Sequence, residues 1–396
     1  MNKLAINGGQ PVRESYLPYG KQNIDDADIN EVIKALKSDF LTTGPYVRQF
    51  EEKVARYVGA KYAVAVSNGT AALHVACLAA GIKKGDEVLV TPLTFAASAN
   101  CILYCGAKPV FIDIEEDTGN IDINKIEEKI NSKTKAIIPV DLTGQSVDID
   151  KIMEIANKHN LIVIEDGAHA LGSEYKGNKV GAKAHMTEFS FHPVKPITTG
   201  EGGVVTTNSE ELYKKLLLFR SHGITRDKDM LIRNEGPWYY EQLELGFNYR
   251  IPDINCALGV SQLDKIDEFV NKRRAIVKKY NEAFKDLEEL DIPTEREFSN
   301  SGWHIYVIKL NLDKIKVSRK EIFEALQKEN IGVNVHYIPV YLHPYYEKLG
   351  YKKGLCPNAE KFYERIITLP LFPKMKENDI EDVIKAVKKV LSYYKK

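Results

Sequence analysis

Short β-branched runs alternate with helical stretches in the first half of the chain, and this alternation constrains the fold more than any other feature. The predicted strands cover residues 63–66, 87–90, 109–112, 136–140 and 161–164. The predicted helices between them start at Thr70 and cover residues 96–104, 123–130 and 149–159. Strand, helix, strand repetition requires crossover connections, so we predict a mostly parallel sheet with helices on both faces.

The pattern changes after about residue 247. Before the alternating region, residues 25–37 and 47–58 have the spacing of amphipathic helices. After it come a long helical segment, a β-like run and two amphipathic helices, at residues 254–284, 305–310, 319–329 and 378–394. We therefore predict an α/β chain with a large domain over residues 1–246 and a smaller α+β domain over residues 247–396.

Charge and cysteine content narrow the class of protein. Lys plus Arg and Asp plus Glu number 55 each, a balance that argues against a nucleic-acid partner or an anionic membrane surface. No uncharged apolar run is long enough for a membrane span, and residues 1–9 contain no apolar leader. The five scattered cysteines form no CxxC pair, so we expect no metal site and a reducing, cytoplasmic location.

Polar residues follow the predicted strands, where ligands bind in parallel sheets. The segment 67–70, Ser-Asn-Gly-Thr, lies between a strand and a helix, and backbone N–H groups at such a position can bind an anion. A Ser or Thr there is also an ordinary helix cap. Asp166 follows the most apolar strand, where it can either face a ligand or cap the next turn, and Phe95 follows a neighbouring strand.

Lys195 lies in an unusual local sequence. Most lysines are solvated surface charges, but Lys195 lies between Pro193 and Pro196, after Phe189 and Phe191. We expect these neighbours to restrain the backbone and to desolvate the amine, which would lower its pKa and make it a Schiff-base nucleophile. A phosphate cradle, a strand-end carboxylate, this lysine and a stacking aromatic together describe a pyridoxal-phosphate site.

Several ordered segments resemble the DegT/DnrJ/EryC1/StrS family of sugar aminotransferases, a branch of the fold-type-I pyridoxal-phosphate enzymes. The resemblance extends over nearly the whole chain. The most specific segment is FSFHPVKPITTGEGG at residues 189–203, and EDGAHALG at 165–172 and GFNYR at 246–250 support it. In the C-terminal part, VHYIP at 335–339 and LPL at 369–371 match as well.

The resemblance implies roles for individual residues. Lys195 and Asp166 would be catalytic: Lys195 would carry the cofactor and Asp166 would pair with its pyridine nitrogen. Asn248 would reach the phosphate from a neighbouring subunit, so the resemblance implies a homodimer with shared sites. The other implied cofactor contacts are Phe95 on the ring face, His169 close to the cofactor, and Gly69, Thr70 and Ser190 at the phosphate.

The resemblance also implies a substrate. Residues 173–175, 219–223 and 236–240, with Asp141 where many relatives have histidine, favour the group that makes UDP-4-amino-4,6-dideoxy-N-acetyl-β-L-altrosamine for pseudaminic acid; Gln145 is a departure. The amino group would pass from L-glutamate to C4 of a UDP-linked 4-keto sugar, UDP-2-acetamido-2,6-dideoxy-β-L-arabino-hex-4-ulose. The candidate sugar-pocket residues are Trp238, Tyr239, Arg250, His336 and Tyr337.

Other interpretations stay open at this point. A sibling aminotransferase would act on another UDP-, dTDP- or GDP-linked 4-keto-6-deoxy sugar. Relatives that dehydrate their substrate carry histidine in place of the lysine, and Lys195 argues against that chemistry. A more distant alternative is a non-catalytic regulator that binds pyridoxal phosphate or a nucleotide sugar on the same fold.

Overall fold

The structure is a computed structural model that describes residues 3–396. Its helices are α1 (Asp26–Leu36), α2 (Pro45–Val58), α3 (Gly69–Ala79), α4 (Ala97–Tyr104), α5 (Ile149–His159), α6 (Glu210–Arg220), α7 (Asp253–Leu263), α8 (Ile266–Phe284), α9 (Arg319–Lys328), α10 (Pro344–Lys348), α11 (Pro357–Arg365) and α12 (Glu377–Tyr394). Its strands are β1 (Tyr62–Val66), β2 (Glu87–Val90), β3 (Lys108–Phe111), β4 (Thr134–Ile138), β5 (Ile162–Asp166), β6 (Glu174–Tyr175), β7 (Asn178–Lys179), β8 (Met186–Ser190), β9 (Gly203–Thr207), β10 (Ile224–Thr225), β11 (Glu241–Gln242), β12 (Leu290–Asp291), β13 (Ser299–Asn300), β14 (Tyr306–Leu310) and β15 (Ile366–Leu369).

A seven-stranded sheet forms the centre of the large part of the chain, in the order β1-β9-β8-β5-β4-β2-β3. The pairs β3-β2, β2-β4, β4-β5 and β5-β8 are parallel, whereas β9 runs antiparallel to both β8 and β1. The predicted mostly parallel sheet is therefore confirmed. Because β4, β5 and β8 are adjacent and parallel, their carboxyl ends lie side by side.

Side chains on the strands alternate between two hydrophobic layers, as the pleat of a strand requires. On β1, Val64 and Val66 pack with helix α3, while Ala63 and Ala65 pack with helix α2. On β4, Ile137 faces the layer of helix α5. Helices cover both faces of the sheet, which explains why its strands are apolar throughout.

Two predicted helices differ from the structure. Residues 123–130 form only the short 3₁₀ turns Ile123–Lys125 and Glu127–Lys129. Asp122 caps the first turn, but the backbone is already extended at Ile130, which leaves no room for a longer helix. The segment 254–284 breaks between α7 and α8. At the break Lys265 binds Asp28 of α1 through a 2.7 Å ion pair, so α7 packs on α1 and α2 while α8 continues to α12.

The C-terminal part forms a smaller α+β unit. Strands β12, β14 and β15 make a three-stranded antiparallel sheet, and α9, α12 and the end of α8 pack on it. Leu4 and Leu17 from the N-terminal segment pack in the same core. This architecture confirms the predicted fold class, and the boundary between residues 246 and 247 stays a prediction. Across residues 3–396, no helix combines the length and the apolarity needed to cross a membrane.

Candidate active site

A cavity of about 840 Å³ opens at the carboxyl ends of β5 and β8, between the large sheet and the C-terminal unit. This volume suits a cofactor together with a small substrate. The segment 334–337 closes it from the C-terminal side. The predicted site residues that line it are Gly69, Thr70, Phe95, Asp166, His169, Ser190, Lys195, His336 and Tyr337.

Asp166 is the last residue of β5 and its carboxylate is fixed from two sides. The Ser98 hydroxyl donates a 2.5 Å hydrogen bond to Asp166 Oδ2, and the Ala168 backbone N–H donates one of 3.2 Å to Oδ1. Ser98 is itself 2.8 Å from the Thr94 hydroxyl. A buried carboxylate held this way presents its remaining lone pairs in a fixed direction. Asp166 therefore does more than cap the following turn: it presents an oriented acceptor to the cavity.

Lys195 lies in the loop after β8, where its backbone N–H donates to His192 O at 2.9 Å. The side chain is half-buried and lines the cavity. Burial lowers the pKa of Lys195 to about 8, although the neighbouring Asp166 and Glu188 carboxyl groups act to raise it. A lysine with this pKa is about one tenth neutral at pH 7, far more than an ordinary lysine, and only the neutral amine acts as a nucleophile or proton acceptor.

The physical reason predicted for the desolvation of Lys195 is partly wrong. Phe189 and Phe191 are buried, but their side chains pack with Phe50 in the hydrophobic layer of α2 and do not line the cavity. A strand alternates its side chains, so the aromatic residues of β8 and the following residue point away from the site. Lys195 is desolvated by the walls of the cavity itself.

The N-terminus of α3 forms an anion cradle. The Asn68 side chain caps the helix by accepting from Ala71 N at 2.8 Å, so the cap is Asn68 and neither Ser67 nor Thr70. A Cβ on Gly69 would come within 2.6 Å of Glu188 Oε1 and 3.1 Å of Ser190 Oγ. Any larger residue would have to displace the Glu188 and Ser190 side chains of β8, so glycine leaves this backbone open to a ligand. The amides of the first turn and the Ser190 hydroxyl can together hold a phosphate.

Two histidines and a tyrosine form one wall. His169 Nε2 is 3.1 Å from the Tyr337 hydroxyl, and the His169 ring lies 4.4 Å from that of His304. His169 Nδ1 is buried without a hydrogen-bond partner among residues 3–396. Burial, with the nearby charges of Lys195 and His336, holds the pKa of His169 well below its ordinary value. The ring is therefore neutral and has a free polar atom at the cavity.

The remaining cavity residues come from exposed or C-terminal segments. Phe95 is 62% exposed, and its ring centroid is 6.3 Å from that of Tyr337. His336 Nδ1 is 2.9 Å from the Thr368 hydroxyl of β15, and burial lowers the pKa of His336 to about 4. A largely exposed ring at the mouth of the cavity is free to cover a planar ligand.

Four predicted residues do not line the cavity of this chain. Asn248 is exposed, and Trp238 is 70% exposed on the segment between β10 and α7. The Tyr239 hydroxyl donates to Glu241 at 2.8 Å, and Arg250 pairs through its backbone with Val66. Their predicted roles at a cofactor phosphate or in a sugar pocket stay predictions.

The structure adds three residues that the sequence interpretation missed, namely Ser98, Glu188 and His304. Ser98 is a polar position in an otherwise largely apolar first half of α4, and Glu188 is a charge inside a buried strand. These two patterns were detectable signals. His304 has no local signal, because it precedes an ordinary β-like run.

The residues present fit pyridoxal phosphate. The cradle at Gly69 suits its phosphate, the oriented Asp166 suits its pyridine nitrogen, and Lys195 has the lowered pKa that covalent attachment requires. His169 Nδ1 adds an unpartnered buried polar atom at the same cavity. Within residues 3–396, no group of three or more His, Cys, Asp or Glu side chains is arranged to hold a metal ion.

Comparison with known proteins agrees with this chemistry. Residues 22–388 match the DegT/DnrJ/EryC1/StrS aminotransferase family. The spore coat polysaccharide biosynthesis protein SpsC of Bacillus subtilis is 43% identical over 96% of this chain and 98% of its own length. The UDP-4-amino-4,6-dideoxy-N-acetyl-β-L-altrosamine transaminase of Campylobacter jejuni is 42% identical over 96% of this chain and 99% of its own length.

Solved structures show the same likeness. Helicobacter pylori PseC, an aminotransferase of pseudaminic acid biosynthesis, superimposes with a TM-score of 0.89 at 34% identity, over 96% of this chain and 100% of that one. A chain described as a sugar aminotransferase from Streptococcus pneumoniae, in its PLP form, also gives 0.89, at 32% identity over 96% of this chain and 99% of that one. The chain thus belongs to the DegT/DnrJ/EryC1/StrS aminotransferase family and is a pyridoxal-phosphate-dependent sugar aminotransferase.

Proposed function

We propose that the protein transfers an amino group from L-glutamate to C4 of UDP-2-acetamido-2,6-dideoxy-β-L-arabino-hex-4-ulose. The product would be UDP-4-amino-4,6-dideoxy-N-acetyl-β-L-altrosamine, on the route to pseudaminic acid. The observation that carries the chemistry is that Lys195 and Asp166 line one cavity beside the Gly69 cradle. The C. jejuni transaminase and H. pylori PseC, similar over nearly the whole chain, support the choice of sugar.

Each predicted cofactor residue that lines the cavity has a proposed task. Lys195 is the attachment point of the cofactor, Asp166 pairs with the pyridine nitrogen, and Phe95 covers the ring. His169 lies beside the cofactor. The phosphate is held by Gly69, Thr70 and Ser190.

Proton movement is assigned to the lysine. When bound, pyridoxal phosphate supplies the electron sink that makes loss of a proton from carbon feasible. The neutral Lys195 Nζ would take the proton from Cα of glutamate in the first half-reaction and pass it on to the bound cofactor. In the second, Lys195 would take a proton back from the cofactor and deliver it to C4 of the sugar, so that the amine ends each half-reaction neutral. The low pKa of Lys195 supports this task, because Nζ must be neutral before it accepts a proton.

We further propose a cytoplasmic homodimer with two shared sites. Asn248 is exposed and outside the cavity of its own chain, which agrees with a contact to the cofactor phosphate of a partner subunit. Trp238, Tyr239 and Arg250 also lie outside this chain's cavity. His336 and Tyr337, which line it, are proposed to contact the sugar nucleotide.

A second candidate substrate has its own support. SpsC of B. subtilis, a spore coat polysaccharide biosynthesis protein, is 43% identical to this chain, marginally more than the C. jejuni transaminase. A sibling reaction on another UDP-, dTDP- or GDP-linked 4-keto-6-deoxy sugar is therefore the alternative.

A single-turnover experiment separates these candidates. The enzyme is converted to its amino form with L-glutamate, freed of the donor, and mixed separately with UDP-, dTDP- and GDP-linked 4-keto-6-deoxy sugars. The visible absorbance of the starting cofactor form should return with the UDP-linked L-arabino sugar. Return only with another sugar would keep the transaminase and reject the proposed substrate.

A further inference from the structure

Glu188 is a buried carboxyl group in the cavity that the proposed reaction does not use. It lies on β8 directly beside Asp166, since the parallel register pairs these two residues. Residues paired in this way point to the same face of a sheet. Ser190, two residues along β8, also points there. Glu188 therefore lies between the proposed partner of the pyridine nitrogen and the proposed phosphate contact.

No hydrogen-bond donor reaches the carboxyl group of Glu188. Its side chain is 1% exposed, and neither carboxyl oxygen accepts a hydrogen bond from any of residues 3–396. Glu188 Oε1 lies against the backbone of Gly69, at the start of the anion cradle. A carboxylate without hydrogen bonds or a paired cation is costly to bury.

The charges around this group also disfavour its anionic form. The Asp166 carboxylate is its neighbour, and burial together with that charge raises the pKa of Glu188 well above its ordinary value. Lys195 acts in the opposite direction. That opposing charge disappears when Lys195 is neutral, and a phosphate in the cradle would add further negative charge.

We propose that Glu188 is a positioning residue of the cofactor site, held as an uncharged carboxylic acid that donates its proton in a hydrogen bond to Asp166. Each oxygen of Asp166 already accepts one hydrogen bond, from Ser98 and from Ala168, and each has a second lone pair available. A donor at Glu188 would stabilise the anionic form of Asp166, which the pyridine nitrogen needs as its partner. This inference rests on the role proposed above for Asp166.

Two variants of Glu188 test whether the side chain acts as a hydrogen-bond donor or as a charge. Glu188→Gln keeps the size and a donor but removes any charge, so the dissociation constant of pyridoxal phosphate should stay within about threefold of the native value. Glu188→Leu removes the donor and should weaken binding about tenfold, the effect of losing a hydrogen bond to a charged group. Binding is measured by equilibrium dialysis of the apoenzyme.

A matched control lies next to Asp166 on the other face of the sheet. Glu165 is also buried, and its Oε2 accepts a 2.8 Å hydrogen bond from the Thr187 hydroxyl. Glu165→Gln should leave cofactor binding unchanged. A Glu188→Gln variant that binds the cofactor about tenfold more tightly would show that the native side chain is charged, and would overturn the inference.

Infrared spectroscopy tests the proton directly and requires no turnover. The difference spectrum between the native holoenzyme and Glu188→Gln at neutral pH should contain the C=O stretch of a protonated carboxylic acid. A carboxylate signal in its place overturns the inference. This test does not depend on Glu188→Leu, so it holds even if that variant fails to fold. Cofactor binding by the Asp166→Asn variant is measured in parallel. Unchanged binding would refute the proposed role of Asp166. If binding is weakened, the role of Asp166 stands, and a negative result in the Glu188 experiments overturns only the inference about Glu188.

Discussion

The Ser98 hydroxyl donates a 2.5 Å hydrogen bond to Asp166 Oδ2, which joins the first turn of α4 to the end of β5 across 68 residues of sequence. This contact fixes the carboxylate on which the cofactor site depends. The backbone of the strand sets the position of Asp166, but the neighbouring helix sets its orientation.

Replacing Ser98 by alanine tests this orientation. Ser98→Ala should weaken binding of pyridoxal phosphate about tenfold, because a hydrogen bond to a charged group contributes about 1.5–3 kcal/mol. Equilibrium dialysis gives the dissociation constant. Thr91→Val is the control, since the buried Thr91 hydroxyl has no partner among residues 3–396. Equal affinities for both variants would contradict the assignment.

Removal of the amine tests the role of Lys195. Lys195→Ala should lower transamination by more than about 10³-fold, since both the attachment point and the proton acceptor are lost. The variant should still bind the cofactor weakly through the cradle and Asp166. Borohydride reduction followed by mass spectrometry should label Lys195 in the native enzyme and nothing in the variant. Retained turnover would contradict the assigned role.

Attachment of the cofactor should depend on pH through Lys195. Its pKa is lowered from 10.5 to about 8, so about half of the amine is neutral at pH 8 and about nine tenths at pH 9. Stopped-flow mixing of apoenzyme and pyridoxal phosphate should show a rate that rises with a midpoint near pH 8 and levels above about pH 9. In Asp166→Asn the rise should move to lower pH, because a charge that raises the lysine pKa is removed. A continued rise toward pH 10 in the native enzyme would disagree.

Replacing Arg273 tests whether its hydrogen bonds hold the cavity wall in place. Its guanidinium is 1% exposed and donates to the backbone oxygens of His304, at 3.0 Å, and Leu371, at 2.8 Å. Arg273→Met would leave both oxygens unsatisfied, so the free energy of unfolding in urea should fall by roughly 2–4 kcal/mol. Lys272→Met removes an exposed partner of Glu268 and should change it by less than about 0.5 kcal/mol.

Mixing two inactive variants tests the proposed shared site. If Asn248 completes the cavity of a partner subunit, Asn248→Ala and Lys195→Ala should each be impaired alone. Co-refolded together, they form mixed dimers in which one site has both native residues. Activity should therefore reappear on mixing, and its absence in mixtures proven to contain mixed dimers would count against Asn248 acting in the partner's site.

Most elements of the large sheet and the principal chemical groups of the site follow from the sequence alone. Strand and helix periodicities are local, and the requirement for crossovers turns their alternation into a parallel sheet. Asp166 and the Gly69 segment could be placed at the site because each directly follows a strand. Lys195 was identified from its proline-rich surroundings and its family motif, although the proposed desolvation by Phe189 and Phe191 was wrong.

Tertiary structure decided which distant residues complete the site. Ser98 reaches Asp166 only because the start of α4 lies at the carboxyl end of β5, and Glu188 lies next to Asp166 only because β5 and β8 are paired in one register. His304 enters the cavity through the position of the C-terminal unit. The ion pair between Lys265, at the break between α7 and α8, and Asp28 of α1 is a contact of the same kind. Such contacts depend on packing between elements far apart in the chain, which no local pattern encodes.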